Sequence, residues 1–427
     1  MPVKSPLLVD GILLLYHHPL LLNAPTIMEH VEAFERHSRY KVWKLNTELG
    51  FPRGLARIRF PVVVLHYSLW GTTGYHLDEG FLSWLDGGGG GRKIAFFQDE
   101  HHYCGQRFAF IDRHGIDCIY SLIEPRYVPM VYGKYTSASR VAYNIPGYVS
   151  DDLLDKAARF RLPPAERPID IGYRGRELSY YMGRGAREKT EIAHEFRRRA
   201  AGTGLSLDID TREGGRLYGD SWHRFLGSCK GFLGVEAGVS IFDLEDAVRT
   251  EYERLIRAEP GMTFEEMEER LLSRWEDNIY YRTISPRHFE AAAFETCQIL
   301  YEGRYSGILA PLRHYIPLKK DFSNFDEALR MFRDETFRRE ITRCARRELI
   351  DSGKYSYGNF IRSFDEELTG MRPAAELDAG VISGVDALLA ADYARRILKV
   401  KAKALLYKQF PGRRYLVRWV KAILRRP

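Results

Sequence analysis

Cysteine is scarce. The 427 residues hold five, Cys104, Cys118, Cys229, Cys297 and Cys344, with no Cys-x-x-Cys pair and no second cysteine near any of them to complete a Cys/His ligand set. That spacing gives no zinc site, and no metal is expected. A scattered odd count fits a reducing compartment better than a disulfide scaffold. Phosphate-loop glycines are lacking as well. Gly87–Gly91 is a run of five glycines, but no Gly-Lys-Ser/Thr follows it, so it reads as a mobile surface loop. Neither Ile12–Tyr16 nor Ile169–Tyr173 leads into Gly-x-Gly-x-x-Gly; His17-His-Pro follows the first and Arg174-Gly-Arg the second. This speaks against a dinucleotide oxidoreductase. The longest early apolar run, Gly11 to Leu22, carries His17, His18 and Pro19, has no small-residue cleavage site, and is too short to span a bilayer. The expected location is the cytoplasm.

Acid is absent from the end of the chain. Twelve of the 64 Lys and Arg residues lie between Arg395 and Pro427 with no Asp or Glu, so the net +7 becomes −5 for residues 1–394. A nucleic-acid-binding body would carry the basic face itself, so no specific nucleic-acid partner is expected. After Pro411-Gly412, Leu416, Val420, Ile423 and Leu424 make one helical stripe beside Arg414, Arg418, Lys421 and Arg425. Residues 412–427 thus read as a basic amphipathic helix suited to an anionic membrane surface, at its inner face.

What is present is α/β alternation. Ile12–Tyr16, Lys41–Leu45, Val62–His66, Lys93–Phe97 and Cys118–Leu122 read as strands, with a helix from Ile27 to Arg36 capped by Thr26 and another over Phe108–His114. A charged, proline-bearing stretch, 151–168, reads as a linker. A second alternation follows: strands Ile169–Tyr173, Ser206–Ile209, Gly231–Val235 and Gln298–Tyr301, helices Glu188–Ala201, Ser221–Leu226 and His288–Thr296, and a largely helical Phe242–Trp275. Strands alternating with helices predict parallel sheets. The expected organisation is a Rossmann-like domain over 1–150, the linker, a second Rossmann-like domain over 169–370, and C-terminal helices over 371–427.

Ligands of such sheets sit beyond the carboxyl ends of the strands. His17, His66 and Asp99 fall there, with Glu100, His101 and His102 following Asp99. A base that deprotonates a hydroxyl must be poised near neutral pH, which makes Asp99, His17 and His101 the catalytic candidates. In the second half, Pro286 opens a helix whose free N–H groups attract phosphate. Arg287 adds a forked cation, and Glu290, one turn on, can accept hydrogen bonds from a ribose diol. Ser285 precedes that helix, Arg174 and Arg176 leave a strand, Glu236 and Ser240 follow another, and Tyr315 lies farther along. Asp208-Ile-Asp210 spells a common tripeptide and reads as structural.

These segments together resemble the donor-binding half of GT-B glycosyltransferases, in particular the group with the spore-maturation CgeB-like proteins. The resemblance rests on Arg287-His-Phe-Glu290-Ala291, then Asp326-Glu327-Ala-Leu329, then Tyr355-Ser-Tyr357 before Asn359-Phe-Ile-Arg362. Upstream, Ile171-Gly-Tyr-Arg-Gly-Arg176 and Cys229-Lys-Gly-Phe-Leu-Gly-Val-Glu-Ala-Gly-Val-Ser240 with Asp243 take part; the likeness runs over residues 165–367. It implies two Rossmann-like domains facing each other across a cleft. It also implies a nucleotide-sugar donor as substrate, with no cofactor and no metal. Glu290 would hold the ribose; Arg287 with Arg174 or Arg176 would face the diphosphate. Many retaining members carry a glutamate eight positions before that ribose ligand; here Arg282 stands there. The expected activity is sugar transfer to a glycan, lipid or other hydroxyl acceptor in bacterial cell-envelope polysaccharide synthesis. The rival reading is a non-catalytic scaffold of the same fold at the membrane surface.

Overall fold

The computed structural model describes residues 6–19, 25–71 and 74–409, with residues 25 and 403–409 by backbone alone. Two compact units emerge, and their bounds cut across the domains expected from sequence. One comprises Met1–Ala24, Tyr40–Lys93 and Gly370–Pro427; the other comprises Pro25–Arg39 and Ile94–Thr369.

The first unit is built on Ile12–Tyr16, whose unbroken apolar run is buried on both faces, as an inner parallel strand requires. It pairs in parallel with Val42–Asn46 on one side and Ile58–Leu65 on the other, and Leu7–Leu8 pairs in parallel with the start of the latter at Ile58 and Arg59. The glycine run is not a loose loop. A side chain at Gly89 would stand 2.2 Å from the Trp84 ring, and one at Gly91 would stand 2.5 Å from the Pro61 carbonyl oxygen. Glycine is there because the backbone passes against packed atoms. The helix Ala379–Ala390 lies against Gly54, and its Asp386 accepts the Trp43 indole N–H at 2.9 Å.

The second unit holds two parallel arrays. In one, Gly90–Phe96 pairs from Ile94 onward with Cys118–Ser121, which pairs with Arg140–Tyr143. In the other the order is Leu207–Asp210, Ile169–Arg174, Cys229–Gly234, Cys297–Tyr301, Ile316–Leu318, all parallel. The α/β class with parallel sheets is therefore as expected. A short antiparallel pair, Ala237–Val239 with Tyr281–Thr283, was not foreseen.

Several local expectations change. The first helix runs Pro25–His37, two residues earlier than a Thr26 cap allows, because a proline's fixed φ suits the first helical position. The stretch expected as a linker contains the helix Asp151–Phe160. Ser150 Oγ caps it by accepting the Leu153 N–H, and Leu153, Ala157 and Phe160 are buried. Phe242–Trp275 is helical only over Ala247–Ala258 and from Phe264 to Trp275. Residues 412–427 lie outside the described residues. Among the described residues, no helix is long and apolar enough to cross a membrane.

One buried side chain braces the second array. Arg167 donates to the carbonyl oxygens of Leu162, Cys229, Phe294 and Glu295 and to Thr296 Oγ1, at 2.8–3.3 Å. Phe294 and Glu295 close the helix Pro286–Ala293 at its C-terminal end. The brace thus fixes the element whose other end bears the candidate site.

Candidate donor site

In this second array the strand Ile169–Arg174 is flanked by the strand that follows it on one side and by Cys229–Gly234 on the other. The order reverses between these two neighbours, and ligands of open α/β sheets sit beyond the carboxyl ends at such a point. Arg174 and Arg176 leave one of these ends, and Glu236 leaves the other.

The helix Pro286–Ala293 begins beside them. Ser285 is its N-cap: its Oγ accepts the Arg287 N–H at 3.3 Å, and its own N–H donates to His288 Nδ1 at 3.0 Å. Arg287 is exposed; its guanidinium donates to the Arg174 carbonyl and stacks 5.0 Å from the Trp222 ring centre. One turn on, Glu290 accepts the Trp222 indole N–H at 2.8 Å. Burial raises the Glu290 carboxyl, while Arg287 and that hydrogen bond hold it down.

Sequence reasoning missed Lys189. It lies on the helix Arg184–Arg199, and its Nζ donates to the Gly238 carbonyl at 2.7 Å. Burial lowers its pKa to about 8; Arg176 and Arg287 push the same way, and Asp99 and Glu188 oppose. Lys189 therefore feels the exposed Arg176, Arg287 and Asp99 together, and so joins the two ends of the site. A lone lysine in a charged helix gives no signal in sequence; only the turn of that helix toward the strand ends reveals it.

The other expected residues take differing places. Arg174 is committed within the protein: it pairs with Asp208 at 2.9 Å, donates to the Tyr173 and Asp208 carbonyls, and stacks 4.0 Å from the Phe225 ring centre. Asp210 pairs with Arg212 at 2.8 Å. Glu236 is buried and accepts from Tyr280 Oη at 2.6 Å and from the Tyr305 N–H at 2.7 Å. Ser240 is buried and accepts the Gly185 N–H at 2.8 Å, which pins the start of the Lys189 helix. Tyr315 is 1% exposed in the core, with its ring 5.4 Å from that of Tyr305. Its side chain is out of reach of a ligand at the strand ends.

Among the catalytic candidates, Asp99 is exposed and has a φ of 52°, a left-handed conformation that sparsely populated sites hold under constraint. His101 is 4% exposed, and neither ring nitrogen has a hydrogen-bond partner. Burial, aided by His102, Lys189 and Arg107, keeps this imidazole neutral far below its ordinary value. His17 belongs to the first unit, where it stacks on His76 at 3.8 Å between ring centres; its pKa falls to about 4, first through burial and then through His76 and His18.

A cavity of about 930 Å3 opens elsewhere in the second unit, walled by Glu188, Glu191, Glu268, Glu276, Asp277 and Arg282 among others. Acids dominate its wall, so it would repel a nucleoside diphosphate. At the carboxyl ends of the strands, Arg176, Lys189 and Arg287 can together neutralise a dianion.

No protein-family model and no curated protein matches the chain. Several solved structures align with it at low identity. An alpha-glucosyltransferase in complex with UDP and a 13-mer DNA aligns at 10% identity, with 85% of this chain, 99% of that one and a TM-score of 0.48. A glycosyltransferase from Rickettsia africae aligns at 10%, with 85% and 98% covered and a TM-score of 0.43. AviGT4, a glycosyltransferase involved in avilamycin A biosynthesis, aligns at 13%, with 89% and 98% covered and a TM-score of 0.40. The α/β class of the chain rests on its own strand pairings.

Proposed function

We propose that the protein transfers a glycosyl group from a nucleoside-diphosphate sugar to a hydroxyl acceptor. The observation that carries this is the convergence of Lys189, Arg176 and Arg287 with the N-terminus of Pro286–Ala293 at the reversal of strand order. Glu290 sits one turn along the same helix. That spacing suits a ribose joined to a diphosphate, with the diphosphate on the cations and the diol on the carboxylate.

In the reaction the bond from the sugar's anomeric carbon to the phosphate oxygen breaks, and a bond from that carbon to the acceptor oxygen forms. The charges of the leaving diphosphate, two in the donor and a third that develops as the bond's electron pair departs with the phosphate oxygen, meet three cations already in place. They are bound more tightly at the transition state than in the substrate, which is what lowers the barrier. The acceptor proton passes to Asp99, an exposed carboxylate within electrostatic reach of Lys189. The same three cations supply the charge a divalent metal would otherwise bring, which supports metal-independent transfer. We place the acceptor among glycans or lipid-linked glycans of the bacterial cell envelope, and the protein on the inner membrane face through residues 412–427, on the strength of the sequence pattern.

Thermal stabilisation by UDP, GDP, dTDP, ADP, CMP and NAD tests the reading on wild type, Glu290→Ala and Lys189→Ala. A ligand at 100 times its dissociation constant adds about 2.7 kcal/mol. Stabilisation by one nucleoside diphosphate, weakened in both variants, is the expected result. No stabilisation by any of them would replace the enzyme with a scaffold of the same fold.

A further inference from the structure

We propose that Trp222 is the positioning residue of the donor site, locking Glu290 and Arg287 into one reader of ribose and diphosphate. The inference rests on the donor reading above and goes beyond it by naming what sets the geometry of that reader.

Trp222 stands on the helix Asp220–Gly227, a different element from the one that bears the two charged groups. Its ring is 8% exposed and packs with its centre 5.9 Å from that of Phe225 and 5.7 Å from that of Phe232. An indole held this way has little freedom to turn. It also has a single donor, and a buried donor must find an acceptor. That donor goes to Glu290 Oε2 at 2.8 Å. The ring face meanwhile carries the Arg287 guanidinium at 5.0 Å. One rigid side chain therefore touches two charged groups that lie three residues apart on a helix.

The consequence for Glu290 is directional. With Oε2 fixed by the indole, the plane of the carboxylate is set, and its remaining lone pairs are aimed rather than averaged. A hydroxyl pair is then read at fixed geometry, which discriminates ribose from 2′-deoxyribose. A carboxylate that swivels would follow either sugar. The consequence is also electrostatic. The groups around Glu290 are Arg287 on its own helix, Trp222 on the neighbouring helix, Lys156 on the helix Asp151–Phe160 and Glu29 on the helix Pro25–His37. His223 lines the same small cavity as Glu290, Glu29 and Lys156. Burial and Glu29 favour the protonated acid, whereas Arg287, Lys156 and the indole favour the anion.

The test is calorimetric titration of the full chain with UDP, GDP and ADP and with their 2′-deoxy forms, from pH 5 to pH 8. Wild type, Trp222→Phe, Glu290→Gln and the double variant are compared. Phenylalanine keeps the packing, and Glu290→Gln reports on the same contact without touching the core. Wild type is expected to prefer one ribonucleotide over its deoxy form. Trp222→Phe should bind it about tenfold more weakly, the size of one lost hydrogen bond to a charged group. The variant should also lose most of the ribo-over-deoxy preference and shift the acid limb of binding to higher pH. In the double variant the losses should not add, because both substitutions alter the same contact. An unchanged acid limb and an unchanged ribo-to-deoxy ratio in Trp222→Phe, with wild type binding normally, would overturn this inference and leave the donor site standing. Absence of nucleotide binding in wild type would overturn both.

Discussion

Tyr281 Oη accepts the backbone N–H of Glu100 at 3.0 Å and stands 3.2 Å from the Glu100 carboxylate. The contact ties the residue beside Asp99 to the short strand that precedes the donor-site helix. Around it the Glu100 carboxylate accepts from Ser121 Oγ at 2.7 Å, from the Leu122 N–H at 2.8 Å and from the Tyr132 hydroxyl, while Arg107 donates to the Glu100 carbonyl at 2.8 Å.

Glu100→Ala should therefore be among the most damaging changes outside the charged site. It strands four donors, Ser121, Leu122, Tyr132 and Tyr281, and leaves Arg107 buried without its counter-charge. A loss of about 3–5 kcal/mol is expected, read by urea denaturation. Tyr281→Phe removes one partner only and should cost about 1–3 kcal/mol.

Lys189 gives a pH signature. Its folded pKa of about 8 lies below its ordinary value of 10.5. Between those two values the unfolded chain holds a proton that the native state has released, so stability rises with pH across that window. Diphosphate binding needs the charged lysine and should fall as pH climbs past about 8. Lys189→Met should flatten both trends, as followed by denaturation and by nucleotide titration from pH 7 to pH 10.

The position eight before Glu290 tolerates no acid here. Arg282 is buried, with its guanidinium 3.3 Å from Glu188 and 3.3 Å from Asp277. Arg282→Glu would bury a carboxylate against Glu188 and should cost about 3–5 kcal/mol. A melting temperature equal to wild type would contradict that geometry.

His314, Cys344 and Glu348 lie close enough to suggest a metal, yet the hydrogen bonds assign them otherwise. His314 Nδ1 accepts the Ala310 N–H at 3.1 Å, so its proton sits on Nε2 and points at Glu348, 2.9 Å away. Arg313 and Arg347 also donate to that carboxylate and hold it ionised. An imidazole with both nitrogens so engaged has no free lone pair to give a metal. Zinc and a chelator should each leave the melting temperature unchanged.

The parallel architecture was legible because buried strands such as Ile12–Tyr16 and the stretch 62–65 are short apolar runs that no surface helix would show. The helix that carries Arg287 and Glu290 was legible because a proline at a helix start fixes where the helix begins. Arg174 and Tyr315 were harder to place. A strand-end arginine reads the same whether it faces ligand or, as here, Asp208, and a tyrosine gives no sign of being sealed in the core. Lys189 and Trp222 were silent, since each acts through a neighbour distant in the chain: 49 residues separate Lys189 from Gly238 and 68 separate Trp222 from Glu290.

The Arg167 brace has a thermodynamic meaning for any ligand at the far end of its helix. Four carbonyls and a hydroxyl hold one guanidinium, and burial draws its pKa down only to about 10, so the charge persists at neutral pH. The Pro286–Ala293 helix is thereby immobilised before a ligand arrives. Ordering entropy that a looser helix would surrender on association has already been lost in folding. Association at this end should accordingly look like docking to a preformed surface, with a rate set by encounter rather than by helix rearrangement.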